Sequence, residues 1–331
     1  MLHTFQMNIG IKEEDLNTLE ETVGGNYKQV NDYIQMHYAE YFNNAFTVRV
    51  VRHPGKIYLS LVVDVILLLR KSDIQESDYL EVKQRIMELL MMLIGHAPYE
   101  DHILVRIDYR YDVILPNKQL RELYFHLITK HVDRYRFQHK YKGKKSASGE
   151  FEKYKTTIYH SSGSIVTTAY DKEAEREAKE CETQVYEKDV VRFEVRLMYQ
   201  HLYYKASARC PNPISMHLSN YFKEEPFNEY LQKYLIPIYP QGDYYKYSEA
   251  ERIICDSQLS AFDKSLLKEF LLKTSSHSLS TPKKHVSPHK YKKAMRLLQN
   301  LGINPVCIPK NYPKAPKQFD NPLNSLFSIF E

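Results

Sequence analysis

Residues 191–197 alternate apolar and charged side chains without a break: Val191, Phe193, Val195 and Leu197 against Arg192, Glu194 and Arg196. Successive side chains of a strand point to opposite faces, whereas a helix would scatter these residues around its axis. The stretch is therefore a strand with one apolar and one charged face. Residues 103–110 repeat the pattern, with Val105, Ile107 and Tyr109 on one side and Arg106, Asp108 and Arg110 on the other. Two such strands commit the chain to a sheet that buries one face. Charges of both signs at every outward position suit a site that takes both a cation and a phosphate. The competing reading is an ordinary solvated face laced by weak cross-strand ion pairs.

A chain of 331 residues, 43% of them apolar, can bury a real core and has room for two domains. Cys181, Cys210, Cys255 and Cys307 are scattered, with no CxxC pair, so neither a disulfide framework nor a zinc knuckle is indicated and a reducing cytoplasm is expected. The N-terminus lacks a basic segment followed by an apolar one. The longest apolar run, residues 57–69, is short and broken by Asp64, so membrane association is not expected.

The net charge is only +5, but its distribution is uneven. Residues 130–155 are dense in basic side chains, including Lys140, Lys142, Lys144 and Lys145. Residues 282–319 hold nine lysines and arginines, among them Lys290, Lys292 and Lys293, and no Asp or Glu. Segments of this kind attract a polyanion such as nucleic acid. Tyrosine, at 28 residues, can stack on bases where it reaches the surface.

The order of periodic segments is β β α β α β β α β. Residues 1–45 read as a preamble with helical tendency, broken at Gly24-Gly25. Residues 46–52 and 57–69 read as a hairpin, the second strand long and buried. A helix over 77–94 ends at Gly95, the strand 102–115 follows, and Asn117 caps a helix to about residue 132. Residues 133–152 have no periodicity and read as a basic mobile loop able to close over DNA. A hairpin over 155–172, a charged helix over 173–187 and the strand 190–199 complete the unit. The expected fold class is α+β: an antiparallel or mixed sheet, five-stranded in type, with helices on one face and an open catalytic face.

After about residue 205 prolines break the chain into short pieces. Helices over 248–256 and 260–273, a linker over 274–289, a basic helix over 290–300 and a short edge strand over 303–309 are expected. The divisions are thus 1–45, 46–205 and a mainly helical 206–331. The last is read as helix-turn-helix or winged-helix-like, or as a helical cap.

If Asp108 and Glu194 lie on adjacent strands of the open face, two carboxylates with neighbouring waters are an ordinary site for Mg²⁺ or Mn²⁺. Such an ion polarises a scissile phosphate. Arg106, Arg110, Arg192 and Arg196 would clamp phosphates. A tyrosine hydroxyl, with a pKa ordinarily near 10, needs nearby positive charge, from the metal or from Lys172, before it attacks.

The run Val105-Arg106-Ile107-Asp108, then Thr168-Ala169-Tyr170-Asp171-Lys172, then Val191-Arg192-Phe193-Glu194-Val195-Arg196 resembles the phage and plasmid replication initiators of the gene II/X family. That family shows an R-I-D strand, a tyrosine followed two positions later by lysine, and an R-F-E-x-R strand in the same order. The resemblance spans residues 100–200. It implies a rolling-circle initiator, a site-specific endonuclease that nicks one strand at an origin, stays joined to the 5′ phosphate through tyrosine, and later rejoins the ends. It further implies Tyr170 as nucleophile with Lys172 beside it, double- and single-stranded origin DNA as substrate, a host helicase and replication machinery as partners, and the cytoplasm of a bacterial host. The sequence departs from many such enzymes in having no His-hydrophobic-His triplet, which leaves a carboxylate-based metal site with His160 or another histidine as third ligand. A passive single-strand-binding sheet and a tyrosine relaxase or transposase are the alternatives. A binding sheet would carry aromatics where this one carries acids and arginines.

Overall fold

The computed structural model describes residues 1–131, 138–140, 143–145, 151–153 and 155–330, the three short internal pieces as backbone only. The chain divides into two compact units. The first comprises Met1–Tyr111, Gly163–Val166 and Glu194–Leu231, and the second Asp112–Ser162, Thr167–Phe193 and Gln232–Glu331.

The elements, in chain order, are β1 (Leu2–Ile11), α1 (Glu13–Val23), α2 (Val30–His37), β2 (Phe46–His53), β3 (Lys56–Asp64), α3 (Val65–Leu69), α4 (Tyr79–Ile94), β4 (His102–Ile114) and α5 (Lys118–Ile128). Then come β5 (Gln138–Lys140), β6 (Gly143–Lys145), β7 (Phe151–Lys153), β8 (Thr157–Ser161), β9 (Ile165–Asp171), α6 (Lys172–Ala178), β10 (Val190–Met198) and α7 (Tyr199–Ala206). The remainder is α8 (Glu224–Tyr230), β11 (Tyr244–Tyr245), α9 (Tyr247–Asp256), α10 (Ala261–Ser276), α11 (Ser280–His285), α12 (Pro288–Asn300), β12 (Gln318–Phe319) and α13 (Asn324–Ser328). Strands follow one another in the order β2-β3-β1-β4-β10-β9-β8-β5, and β11–β12 and β6–β7 form separate two-stranded pairs. The α+β class is as expected, with more strands than expected.

The first residues form a strand where helical tendency was expected. Phe5, Met7, Ile9 and Ile11 recur at period two and are buried in the ladder, and β1 pairs antiparallel with both β3 and β4. The apolar run after Lys56 also divides. Asp64 turns its carboxylate back to accept from the N–H groups of Ile66 and Leu67, and the chain continues as α3 instead of strand. Asn117 caps α5 and Gly95, at φ 75°, ends α4 as expected.

In the second unit the pieces 138–140, 143–145 and 151–153 are strands, not loop, and β5 pairs antiparallel with β8. The helix after Tyr170 stops at Ala178, two residues before Glu180 takes a left-handed φ of 55°. The expected linker is helical, since α10 runs to Ser276 and α11 follows. The expected edge strand over 303–309 reduces to single bridges, Asp243 to Ile303 and Lys246 to Ile308. Leu267, Phe270, Leu271, Ala294 and Leu298 build a core for α9, α10, α11 and α12. Among the described residues no helix is long and apolar enough to cross a membrane.

Candidate functional site

In the first unit Asp108 is 1% exposed on β4. Arg196 Nε and Nη2 donate to its two oxygens at 2.8 and 2.7 Å, and Arg106 Nε lies 3.4 Å away. A planar guanidinium matches a carboxylate in this two-point geometry. Burial pushes the Asp108 carboxyl up from its ordinary range, against the downward pull of Arg196 and Arg106. Glu194 is also buried and accepts from His3 Nδ1 at 2.8 Å, while His3 Nε2 lies 3.7 Å from Asp64.

A bulge places that histidine. Leu2 faces Tyr109 and Thr4 faces Asp108 across the ladder, so His3 is the extra residue, and a bulge re-aims the side chain it carries. Neither His3 nor Asp64 was legible as part of a charged cluster, because a bulge leaves no mark in the hydrophobic period.

The pair Asp108 and Glu194, expected to hold Mg²⁺ or Mn²⁺, does not fit that role in this arrangement. A hard cation needs free carboxylate oxygens, whereas both Asp108 oxygens are taken by Arg196 and one Glu194 oxygen by His3. Among the described residues no group of three or more His, Cys, Asp or Glu is placed to hold a metal ion.

The charged face is also less open than its sequence suggested. Arg110, Arg192 and Glu194 are buried, and Arg106 and Arg196 only partly exposed. In the second unit Arg192 donates from Nε and Nη2 to Asp112 at 2.8 and 2.9 Å. Arg192 and Arg196 each grip an aspartate of β4, so the cross-strand ion pairs of the competing reading are what these residues form. Their burial makes them costlier to break than surface pairs.

Tyr170 lies in the second unit at the end of β9, one residue before the strand gives way to α6. Asp171 makes that turn. Its Oδ1 accepts from the N–H groups of Glu173 and Ala174, and its Oδ2 accepts from Arg121 Nε at 2.9 Å. Arg121, 4% exposed, also donates from Nη1 to Asp189 at 2.6 Å and to the Leu115 carbonyl at 2.7 Å, and from Nη2 to Glu173. One guanidinium thus ties α5, the turn after β9 and the turn before β10. It was missed because it is charged. Yet Arg121 shares the i, i+3, i+4, i+7 stripe with Tyr124, Phe125 and Ile128, and that spacing was the available signal.

Lys172 Nζ sits 5.8 Å from the centre of the Tyr170 ring, but the ammonium is already paired with Glu175 at 2.7 Å and Glu187 at 3.3 Å. Burial raises the Glu187 carboxyl; donation from Arg176 and the Gln184 N–H and the charge of Lys172 outweigh it and hold the group at about 2. The Lys172 charge is therefore largely compensated, and Lys172 secures α6. Tyr170 itself is 7% exposed.

Of the other expected DNA contacts, Lys142 and the side chains of Lys140, Lys144 and Lys145 lie outside the described residues. Lys290 and Lys292 are exposed on α12, and Lys290 Nζ is 5.8 Å from the Phe262 ring. Lys293 is half-buried and paired with Asp263 at 2.5 Å.

No protein-family model and no curated protein matches the sequence. A solved structure of a rolling circle replication initiator protein from Geobacillus stearothermophilus is similar over 61% of this chain and 75% of its own, at 12% identity and a TM-score of 0.26. A likeness that slight carries no weight for fold or function.

Proposed function

We propose that the chain is a rolling-circle replication initiator that nicks and rejoins one DNA strand with Tyr170 as nucleophile. The observation that carries the reading is the position of Tyr170, at a strand end whose turn is fixed by Asp171 and Arg121, within the ordered set of motifs that resembles the gene II/X family. A fastened turn holds the backbone of a nucleophile while its side chain reacts, which is how orientation lowers a barrier.

In the reaction the Tyr170 oxygen loses its proton and bonds to phosphorus, the bond from phosphorus to the 3′ oxygen breaks, and a free 3′ hydroxyl departs. Attack by a 3′ hydroxyl on the phosphotyrosyl ester runs the same exchange backwards, with no external energy source. Lys172, whose Nζ lies 5.8 Å from the centre of the Tyr170 ring, is itself paired with Glu175 and Glu187. No step is assigned to a metal ion. Origin DNA is the proposed substrate and the replication machinery of a bacterial host the proposed partner.

The test uses labelled circular single-stranded DNA with Mg²⁺, Mn²⁺ and chelator in parallel. Tyr170→Phe should lower nicking by at least about 10³-fold, the scale on which loss of a nucleophile is felt, while Tyr159→Phe and Tyr186→Phe stay near wild type. Undiminished nicking by Tyr170→Phe removes the assignment.

A further inference from the structure

The second unit contains a groove of about 1120 Å³, running between the segment around residues 233–241 and the helices α11 and α12. Lys233, Lys283, Lys292 and Arg296 line it, with no carboxylate among the lining residues. All four cations are exposed, and among the described residues none of them forms an ion pair with an acid. Lys292 and Arg296 stand four apart on α12 and so lie on one face, whereas Lys293 of the same helix is paired with Asp263. The helix thus divides its positive charge: Lys293 is neutralised, Lys290 lies by the Phe262 ring, and Lys292 and Arg296 line the groove.

The floor is apolar and aromatic. Lys233 Nζ lies 5.6 Å from the centre of the Tyr234 ring, and Lys283 Nζ 5.7 Å from that of Tyr291, both tyrosines being part of the lining. Four exposed cations and no acid in one concavity set up a local positive field that draws in anions. The spacing of cations over aromatic rings selects the anion. Phosphates track the lysines and arginine while bases stack on tyrosine and aliphatic surface, the combination by which proteins hold single-stranded nucleic acid without reading its sequence.

We propose that this groove binds a short run of single-stranded DNA, apart from the tyrosine that cuts it. The assignment rests on the nicking reading only for the choice of DNA as the polyanion, since the groove and its charges stand independently. Its place in the reaction is retention of the strand exposed by nicking.

The test is fluorescence anisotropy of the full chain with labelled oligothymidylate, over a range of salt, with unlabelled duplex and polyglutamate as competitors. The fourfold variant Lys233→Gln, Lys283→Gln, Lys292→Gln, Arg296→Gln changes only exposed side chains, and its fold is checked by thermal melting. It should bind at least about 30-fold more weakly, and the slope of log affinity against log salt should fall by about 0.7 for each cation removed. Tyr234→Leu should lose about 10-fold with the slope unchanged, as loss of one stacked base predicts. Lys310→Glu, outside the groove, should bind as wild type. Unchanged affinity and slope in the fourfold variant overturn the proposal, and so does loss of polyglutamate binding alone, which would make an acidic polypeptide the occupant. Tyr170→Phe should bind oligothymidylate normally. A wild-type chain that never nicks yet loses this binding in the fourfold variant would leave the groove standing and remove the nicking reading.

Discussion

His102 shows how a single residue's chemistry is set by two backbone groups. Its Nδ1 donates to the Tyr99 carbonyl at 2.6 Å, and its Nε2 accepts from the Leu218 N–H at 2.8 Å, so both nitrogens are engaged only if the ring is neutral. Burial brings its pKa down from 6.5 to about 4, with the Tyr99 carbonyl pulling the other way. A proton taken up on unfolding weakens the folded state. The stability due to the neutral ring is therefore complete above pH 6.5 and is lost as pH falls towards 4, at up to about 1.4 kcal/mol per pH unit. Urea unfolding between pH 7 and 5 should show that slope, and His102→Asn should lower overall stability while reducing the slope by one proton's share. An unchanged slope in the variant would mean that the folded state protonates His102 freely. At this scale the sequence was legible where a residue acts alone, as with the Asn117 cap and the Gly95 stop. It was not where a side chain answers a partner far along the chain, as His3 answers Glu194 and Arg192 answers Asp112.

The turn from β9 into α6 depends on Asp171, which caps the helix with one oxygen and holds Arg121 with the other. Asp171→Ala removes the cap and one of the carboxylates opposing a buried guanidinium. Losing one partner of a buried pair costs about 3–5 kcal/mol, and a lost cap about 1 kcal/mol. Chemical denaturation should place Asp171→Ala in that range, and Asp171→Asn, which keeps a capping oxygen, should lie between it and wild type. A change in Asp171→Ala of under about 0.5 kcal/mol, the level of an inert surface substitution, would contradict a fastening role. The strands bearing the motifs were readable because their period of two is strict. The same period in Phe5, Met7, Ile9 and Ile11 went unread beside polar neighbours and a glycine, and β3 was read too long because the capping use of Asp64 overrides its apolar neighbours. Elements are legible when one face is uniform. They blur when a turn is made by a single carboxylate.

For the whole molecule, the succession of helical and strand periods was enough to give the α+β class and the helical character of the later chain. The division into two interleaved units was beyond reach, because it depends on which parts of β4, β9 and β10 each unit claims and not on any local pattern. The charged strands gave the same lesson for function: their composition suited a metal and a phosphate, and their geometry turned acids and arginines towards each other. What remains distinctive is Tyr170 on its fastened turn and the cationic groove of the second unit. The most direct measurement is peptide mapping of the covalent product after the full chain has been incubated with labelled circular single-stranded DNA. The proposal predicts a DNA-linked peptide containing Tyr170, absent from Tyr170→Phe; a linkage at any other residue, or cleavage that leaves no linked peptide, would contradict it.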